Sequence, residues 1–201
     1  MRHGVQIAPA AILQSFVRHE ARLEAQAWKP YREILRVVMA AMSADFRITM
    51  SNKELDLLAD SLPEWPPFPD TVEALQKLSK RFLLVILSNV DDSLFAQTRK
   101  RLTVDFAHVI TAEQVKSYKP GKAHFQEALR RLGVPPSQIL HVAQSLYHDH
   151  IPARELGWRT ARINRPSLLP GTGLAPEANV QPDFILPDLA SLALLLMDGK
   201  A

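Results

Sequence analysis

The chain has 201 residues, of which 47% are hydrophobic and 22% are charged, and this composition is typical of a soluble globular domain and excludes a disordered chain. The formal net charge is only +3, with basic and acidic residues interleaved, which argues against a dedicated nucleic-acid-binding surface. The chain has no cysteine, so disulfide scaffolds, thiolate zinc sites and cysteine nucleophiles are excluded.

Two apolar stretches, residues 37–42 and 192–197, are the longest in the sequence. Each falls far short of the roughly 18 residues that a membrane-spanning helix needs, and the first residues lack the apolar core of a signal peptide. We therefore expect a cytoplasmic protein that binds neither membranes nor nucleic acid.

The first third of the chain has the periodicity of helices. Apolar residues recur at helical spacing over residues 11–23. A second helix is expected to begin at Pro30, because proline suits the first turn of a helix. Ser51 and Glu54 have the spacing of a capping box, which predicts a third helix.

A proline-rich segment follows these helices. Four prolines stand within residues 63–69, and such a segment is a stiff connector with few helical conformations. We therefore place a boundary there, with a helical subdomain over residues 1–64 and a second domain over residues 65–201.

From residue 70 onward, predicted helices and strands alternate. Continuous apolar runs of strand length are typical of parallel strands buried on both faces. The expected strands cover residues 82–87, 106–110, 139–143, 159–163 and 184–186. The other expected elements are a helix capped by Asp70, helices over residues 91–102 and 123–132, a short helix ending at Gly157, a loop over residues 166–182, and a last helix capped by Asp188. The pattern predicts an α/β fold with a doubly wound parallel sheet.

Polar residues follow three of these strands. In open parallel sheets, ligands bind beyond the carboxyl ends of the strands. Ser88 and Asn89 follow the first strand, and both can donate hydrogen bonds to an anion. Pro120 restricts Lys119 to an extended conformation, so this lysine could supply a fixed positive charge. Asp149, after the third strand, could pair with it.

Each of these residues also has a plainer possible role. Asn89 or Asp91 could cap the helix after the first strand, and Asp149 could cap the helix that follows it. Lys119 could be a solvated surface residue. The sequence alone leaves these alternatives open.

Three histidines, His141, His148 and His150, lie near Asp149 in the sequence. Their spacing does not match the i, i+4 pair of a helical metal site. We expect structural roles for them and no bound metal ion.

Three segments occur in order: residues 86–92 (ILSNVDD), 117–120 (SYKP) and 141–149 (HVAQSLYHD). Together they resemble motifs of the haloacid dehalogenase superfamily, in particular its type II, L-2-haloacid dehalogenase-like branch. The helical first third and the connector around Trp65 are similar to the cap that these proteins insert. The resemblance implies a Rossmann-like core with an N-terminal helical cap.

The resemblance also implies roles for the polar residues. In this family an aspartate attacks the substrate, and water then hydrolyses the resulting ester, which is a legitimate use of a carboxylate nucleophile. Ser88 and Asn89 would hydrogen-bond the substrate or the attacking carboxylate. Lys119 would neutralise and orient that carboxylate, and Asp149 would pair with Lys119 and help to position the water.

Positive residues of the cap are candidates to receive a substrate carboxylate or a leaving halide. They are Arg18, Arg22, Lys29 and Arg32. The sequence does not choose among them, and Arg18 and Arg32 could equally be surface charges. Gln144 and Ser145, in the third segment, are further candidates for contact with the substrate.

Gln144 also bears on the cofactor. Metal-using members, mostly phosphatases, have an acidic residue at this position, and an amide is a poor substitute for a carboxylate on a hard cation such as Mg²⁺. We therefore expect a metal-independent hydrolase without a cofactor, acting on a small anionic substrate such as a 2-halo carboxylate. A magnesium-dependent small-molecule phosphatase is the alternative.

The sequence departs from the family at its first motif. The chain has no strand ending in Asp-x-x-Gly-Thr, the segment that carries the attacking aspartate. That strand would be central, between the strands that end at Ser88 and Ala143. We expect a chain that is poorly active or inactive as given, either from a truncated gene model or as a natural short form, unless the sheet closes around the gap. The further alternative is a non-catalytic anion-binding or interaction protein, and open strand edges favour a homodimer.

Overall fold

A computed structural model describes residues 4–165, 175–197 and 199 of the chain. The α-helices in these ranges are α1 (Pro9–Glu24), α2 (Tyr31–Asp45), α3 (Asn52–Leu55), α4 (Leu57–Ser61), α5 (Thr71–Leu78), α6 (Asp92–Leu102), α7 (Ala112–Val115), α8 (Ala123–Leu132), α9 (Ile151–Glu155) and α10 (Leu189–Met197). The strands are β1 (Val85–Ser88), β2 (His108–Thr111), β3 (Leu140–Ala143), β4 (Arg159–Ile163) and β5 (Phe184–Leu186). None of the helices described is long and apolar enough to cross a membrane.

The helices α1 to α4 form the helical part of the molecule, and the elements from α5 onward form the α/β part. Within the helical part, α1 packs against α2. One face of α2 is buried through Ile34, Val38 and Met42, and Ala112 and Tyr118 of the α/β part complete the same apolar cluster. Shared burial of this kind ties the two parts together.

Three carboxylates sit at helix starts, but only one of them caps its own helix. Asp188 accepts a hydrogen bond from the Ser191 N–H at 2.7 Å, as predicted for α10. Asp70 does not cap α5; it accepts hydrogen bonds from backbone N–H groups of the first turn of α10. Asp91 does not cap α6, because it accepts from the N–H groups of Tyr31 and Arg32 at 2.8 and 2.9 Å. Asp91 thus fastens the start of α2 to the α/β part, since the first N–H groups of a helix have no partner within the helix.

All strand pairs are parallel, as the apolar runs predict. One sheet pairs β1 with β2, and the other has the order β3–β4–β5. The predicted first strand was too long at its start, because Phe82 and Leu83 lie before β1 and Leu83 is 78% exposed. The expected α/β fold with parallel strands is confirmed.

The facing edges of β1 and β3 are not joined to each other. The two sheets remain separate, and no strand among the described residues lies between them. The Ala107 N–H donates to the Leu84 carbonyl, towards β2. Because backbone groups of successive residues point to opposite edges of a strand, those of Val85 and Leu87 face away from β2. Within the part of the chain that the structure describes, the sheet therefore has not closed around the predicted gap.

Apolar packing supports the carboxyl ends of the strands from below. Phe125 of α8, Ile110 of β2 and Ala153 of α9 are fully buried in one cluster, together with Trp158. Val85 and Leu87 of β1 and Ile139, just before β3, pack against the same cluster, so both strands are held by this core.

Several shorter elements test the predictions of the sequence further. The capping box of Ser51 and Glu54 is present at α3, and Gly133 ends α8 in the left-handed conformation, with a φ of 63°. The sequence did not predict α7 or the π-helical turn over Leu146–His150. Of the predicted loop over residues 166–182, residues 166–174 lie outside the described residues.

Candidate functional site

A buried ion pair joins two of the residues that the motifs single out. Lys119 precedes α8, and Asp149 lies in the π-helical turn after β3. The Lys119 Nζ donates to Asp149 Oδ1 at 2.7 Å and to the Leu87 carbonyl oxygen at 3.0 Å. The two side chains are only 10% and 9% exposed. The pair therefore links the unpaired edge of β1 to the end of β3, and the alternative of a solvated Lys119 is wrong.

Asn89 positions Lys119 through its backbone. The Asn89 Oδ1 accepts a hydrogen bond from the Lys119 N–H at 2.8 Å, and the Asn89 Nδ2 donates to the Lys119 carbonyl at 3.1 Å. An amide that binds both backbone groups of one residue fixes the direction of the lysine side chain. Asn89 therefore does not cap α6, and the alternative capping role is wrong.

His141 holds the other partner of the ion pair. Its Nε2 donates to Asp149 Oδ1 at 3.0 Å, and its ring packs against Phe125 and Trp158 with centroid distances of 5.1 and 5.9 Å. Burial alone would raise the pKa of Asp149. The Lys119 charge and the His141 hydrogen bond outweigh that effect and hold this pKa below its ordinary value. Asp149 is therefore an ionised carboxylate that does not cap α9.

Two further histidines bind the carbonyl groups at the ends of the strands. His124 Nε2 is 3.1 Å from the Ser88 carbonyl oxygen, and His150 Nε2 is 3.0 Å from that of Ala143. Burial lowers the pKa of His124 to about 4 and lowers that of His150 as well. Both are neutral at pH 7.

The remaining motif residues lie at the same edge but make fewer contacts. Ser88 is half-buried, and its hydroxyl has no hydrogen-bond partner among the described residues. Ser145 accepts a hydrogen bond from the His148 N–H at 3.0 Å. Gln144 is half-buried directly after β3. We refer to Ser88, Asn89, Lys119 and Asp149 together as the lysine cluster.

Glu24, a residue that the sequence did not single out, enters this region from α1. Its Oε1 and Oε2 are 3.2 and 3.3 Å from the Asn89 Nδ2, which donates to them. Oε2 is also 3.6 Å from His148 Nε2, and the Glu24 side chain is 5% exposed. Burial raises the pKa of Glu24 to about 9, with Glu20 adding to the rise and Lys119 opposing it. A neutral carboxyl group therefore lies beside the lysine cluster at pH 7.

Two of the candidate arginines of the helical part, Arg18 and Arg32, contact other residues. Arg18 binds Asp45 at 2.5 Å, with the two side chains 63% and 30% exposed. Arg32 binds Asp60, and both side chains are about half exposed. The structure thus joins each of these arginines to a surface carboxylate and joins neither to the lysine cluster.

The described side chains offer no evident metal site. Within residues 4–165, 175–197 and 199, no group of three or more histidine, aspartate and glutamate side chains is placed to hold an ion. The histidines near Asp149 lie within hydrogen-bonding distance of backbone and side-chain oxygens.

Parallel strands connected by helices define an α/β protein of the Rossmann-like class. The buried Lys119 lies at the carboxyl ends of the strands, where such proteins bind ligands. The profile of the haloacid dehalogenase-like hydrolases matches residues 4–157. The chain therefore belongs to the haloacid dehalogenase-like hydrolases, and its relatives place it on the type II branch.

Two curated relatives illustrate the similarity. The (S)-2-haloacid dehalogenase 4A of Burkholderia cepacia is 33% identical over 124 residues, which are 60% of this chain and 53% of the relative. The haloacid dehalogenase-like hydrolase domain-containing protein 3 of Danio rerio is 32% identical over 147 residues, or 69% of this chain and 59% of the relative. The chain thus matches little more than half the length of these proteins.

A solved structure shows the same fold. The L-2-haloacid dehalogenase of Xanthobacter autotrophicus, with chloropropionic acid covalently bound, superposes with a TM-score of 0.80 at 22% identity. The match covers 95% of this chain and 87% of the other. It confirms the haloacid dehalogenase fold that the motifs predict.

Proposed function

We propose that this chain forms the substrate pocket of a metal-independent hydrolase that acts on a small 2-halo carboxylate. The observation that carries the proposal is the buried Lys119–Asp149 pair, which Asn89 fixes at the carboxyl ends of β1 and β3. A buried lysine with a fixed direction offers an anion a preorganised positive charge in a low-dielectric site. The names of the dehalogenase relatives support the choice of substrate.

The reaction follows from carboxylate chemistry. A carboxylate oxygen attacks the carbon that bears the halogen, the C–X bond breaks, and the halide leaves with the bonding electrons. Water then adds to the carbonyl carbon of the ester, which releases the 2-hydroxy acid and restores the carboxylate. In this scheme Lys119 orients the attacking carboxylate, Ser88 and Asn89 hold the substrate, and Asp149 keeps Lys119 in place and helps to position the water.

The attacking carboxylate is the part that the described residues do not provide. Asp149 accepts hydrogen bonds from both Lys119 and His141 through one oxygen, so it is committed to the ion pair. A strand placed between β1 and β3 would end next to Lys119, because the carboxyl ends of parallel strands meet at one edge. We infer that an aspartate at the end of such a strand is the nucleophile and that the chain alone turns over poorly.

Halide release from (S)-2-chloropropionate tests this proposal. One protein is the chain as printed, and a second carries an N-terminal extension with an apolar strand that ends in aspartate. The matched control has asparagine in place of that aspartate. We expect halide release only from the aspartate form, and we expect it to persist in the presence of a chelator.

Equal and robust halide release from the printed chain and the asparagine control would contradict the assigned nucleophile. Loss of activity on chelation, with magnesium-dependent release of phosphate from phosphate esters, would instead support the phosphatase alternative. Absence of halide release from all three proteins, each shown to be folded by circular dichroism, would refute the proposed reaction.

Non-catalytic anion binding by a homodimer is a second candidate. The open edges of β1 and β3 favour it, because unpaired strand edges are templates for pairing with another chain. Size-exclusion chromatography and the melting temperature with added carboxylate or phosphate test this candidate. A dimer with an anion-dependent rise in melting temperature supports it, and a monomer without such a rise refutes it.

A further inference from the structure

Glu24 lies where the proposed function places a carboxylate. Both of its carboxyl oxygens accept from the Asn89 Nδ2, at 3.2 and 3.3 Å, and its side chain is 5% exposed. The same Asn89 fixes Lys119, so the carboxyl group of Glu24 lies against the donor that the lysine cluster offers to an anion. The carboxyl group of Glu24 is therefore both buried and hydrogen-bonded to an amide, as buried polar groups normally are.

His148, the second neighbour of Glu24, also suits a site that binds a carboxyl group. His148 Nε2 is 3.6 Å from Oε2 of Glu24 and is buried without a hydrogen-bond partner among the described residues. The other ring nitrogen, Nδ1, is 3.2 Å from Ser145 Oγ. The edge that receives Glu24 thus carries an amide and an imidazole, both of which bind carboxyl groups well.

We propose that Glu24 occupies the carboxylate-binding position of the pocket and acts as a built-in competitor of the substrate carboxylate. The inference rests on the proposed function, in which Ser88 and Asn89 hold the substrate, and it adds that the substrate carboxylate lies next to Asn89. A substrate must displace the Glu24 side chain from Asn89 before its own carboxylate can bind there. Glu24 thereby sets the affinity of the pocket for small carboxylates.

The charges around Glu24 make this competition depend on pH. The titratable groups that face Glu24 are Glu20 of its own helix, Tyr31 of α2, Tyr118 and Lys119 before α8, and His148 after β3. With a pKa of about 9, the carboxyl of Glu24 is neutral at pH 7 and becomes a carboxylate above pH 9. As an anion it is attracted to Lys119 and competes more strongly, so binding of a free carboxylate weakens as the pH rises through 9.

Calorimetric titration with propionate tests the proposal, because propionate has no halogen and cannot turn over. The proteins are the wild-type chain, Glu24→Ala, Glu24→Gln and, as a matched control, Glu33→Gln on the exposed face of α2. A tethered group has an effective concentration of about millimolar or higher, so its removal in Glu24→Ala should tighten binding about tenfold at pH 9. Glu33→Gln should match the wild type.

The pH profile separates a competitor from a structural residue. The wild-type affinity for propionate should fall about tenfold between pH 8 and pH 10, by the same reasoning about a tethered competitor. Glu24→Gln keeps the size of the side chain but cannot ionise, so its affinity should stay constant over that range. If Glu24→Ala does not fold, the comparison of Glu24→Gln with the wild type still decides the question.

The inference is overturned if the wild type and Glu24→Gln bind propionate equally at every pH. Its failure can be told apart from failure of the proposed function. Tighter propionate binding by Glu24→Ala, with no halide release from the aspartate-extended protein, would support the competitor and refute the hydrolase. Halide release from the aspartate-extended protein, with no effect of Glu24 on propionate binding, would support the hydrolase and refute the competitor.

Discussion

Two ion pairs show how differently the same charges behave in the two parts of this molecule. Lys119 and Asp149 lie 2.7 Å apart and are about one-tenth exposed, and a histidine and a backbone carbonyl complete their contacts. Arg18 and Asp45 are closer still, at 2.5 Å, but the arginine is 63% exposed. A buried pair leaves a costly unpaired charge when one partner is removed, whereas an exposed pair is solvated by water. Contact distance alone therefore does not identify a functional pair.

The largest expected effect comes from breaking the buried pair. Lys119→Met leaves Asp149 as a buried carboxylate that keeps the His141 hydrogen bond but loses its cation, so the free energy of unfolding should fall by about 3–5 kcal/mol. Urea denaturation measures this change. The control is Lys122→Met, which removes an exposed lysine paired with Glu155 and should cost less than about 1 kcal/mol. Equal losses in both variants would show that the Lys119–Asp149 pair is no different from a surface pair.

The double variant Lys119→Met/Asp149→Leu sharpens that result. Replacing both charges with apolar groups of similar size removes the unpaired charge, so most of the lost stability should return. Binding of 2-chloropropionate should not return, because the cation is gone. Stability that stays as low as in the single variant would contradict this explanation.

Glu24 should give the next largest effect, and it should depend on pH. Because the pKa of Glu24 is raised in the folded protein, the unfolded chain loses this proton first as the pH rises above 4.5, and stability falls from there until about pH 9. Glu24→Gln removes the cost of keeping this carboxyl group protonated in the folded protein. The unfolding free energy at pH 8 should therefore rise by on the order of 1–3 kcal/mol. Urea denaturation of the wild type and of Glu24→Gln from pH 5 to pH 9 measures this difference. The same dependence of unfolding free energy on pH in both proteins would contradict a buried neutral carboxyl group at Glu24.

His141 should matter less than Lys119, because Asp149 keeps its lysine when the histidine is gone. His141→Phe preserves the aromatic packing and removes the Nε2 donor, and we expect a loss of about 1.5 kcal/mol in unfolding free energy, at the lower end for a bond to a charged group. Denaturation of the wild type and the variant measures it. Full stability in His141→Phe would show that this hydrogen bond does not hold Asp149.

The smallest effects are expected for Arg18 and Arg32 of the helical part. Arg18→Gln and Arg32→Gln should each change the unfolding free energy by less than about 1 kcal/mol, and the affinity for propionate should stay the same. Calorimetric titration and denaturation of the same samples check both statements. A tenfold or greater loss of propionate affinity in either variant would move that arginine into the pocket.

The contrast between the two regions also explains what the sequence could predict. Ser88, Asn89 and Asp149 were singled out because parallel strands bring their carboxyl ends to one edge. The resemblance of the three motif segments to the haloacid dehalogenase family grouped them with Lys119. The arginines of α1 and α2 have no such constraint. Which way a helix turns its charged side chains depends on packing against the rest of the molecule, and the sequence does not specify that.

The burial of Glu24 and the contact of His141 with Asp149 were not predicted, for a related reason. Glu20 and Glu24 are one turn apart and continue the face of α1 on which Phe16 and Leu23 pack. The position of Glu24 on an apolar helix face therefore indicated burial. The periodicity of apolar residues did not include it, because glutamate is polar. His141 interrupts an apolar strand, and a polar residue within a buried strand indicates a specific partner.

The caps show a limit of local rules. Asp70 and Asp91 stand at the starts of α5 and α6, where a capping role is the natural prediction. Both instead bind the first turns of helices distant in the sequence, α10 and α2. The preference of a carboxylate for helix N–H groups was correct, and tertiary structure decided which helix received it.

The most direct test of the central claim is calorimetric titration of 2-chloropropionate at pH 7 into the wild-type chain and into Lys119→Met/Asp149→Leu. The claim is that the buried Lys119, fixed by Asn89 and Asp149, is the anion-binding group of this protein. We predict binding to the wild type and none to the double variant, with both proteins folded. Equal affinity for both proteins would contradict the claim.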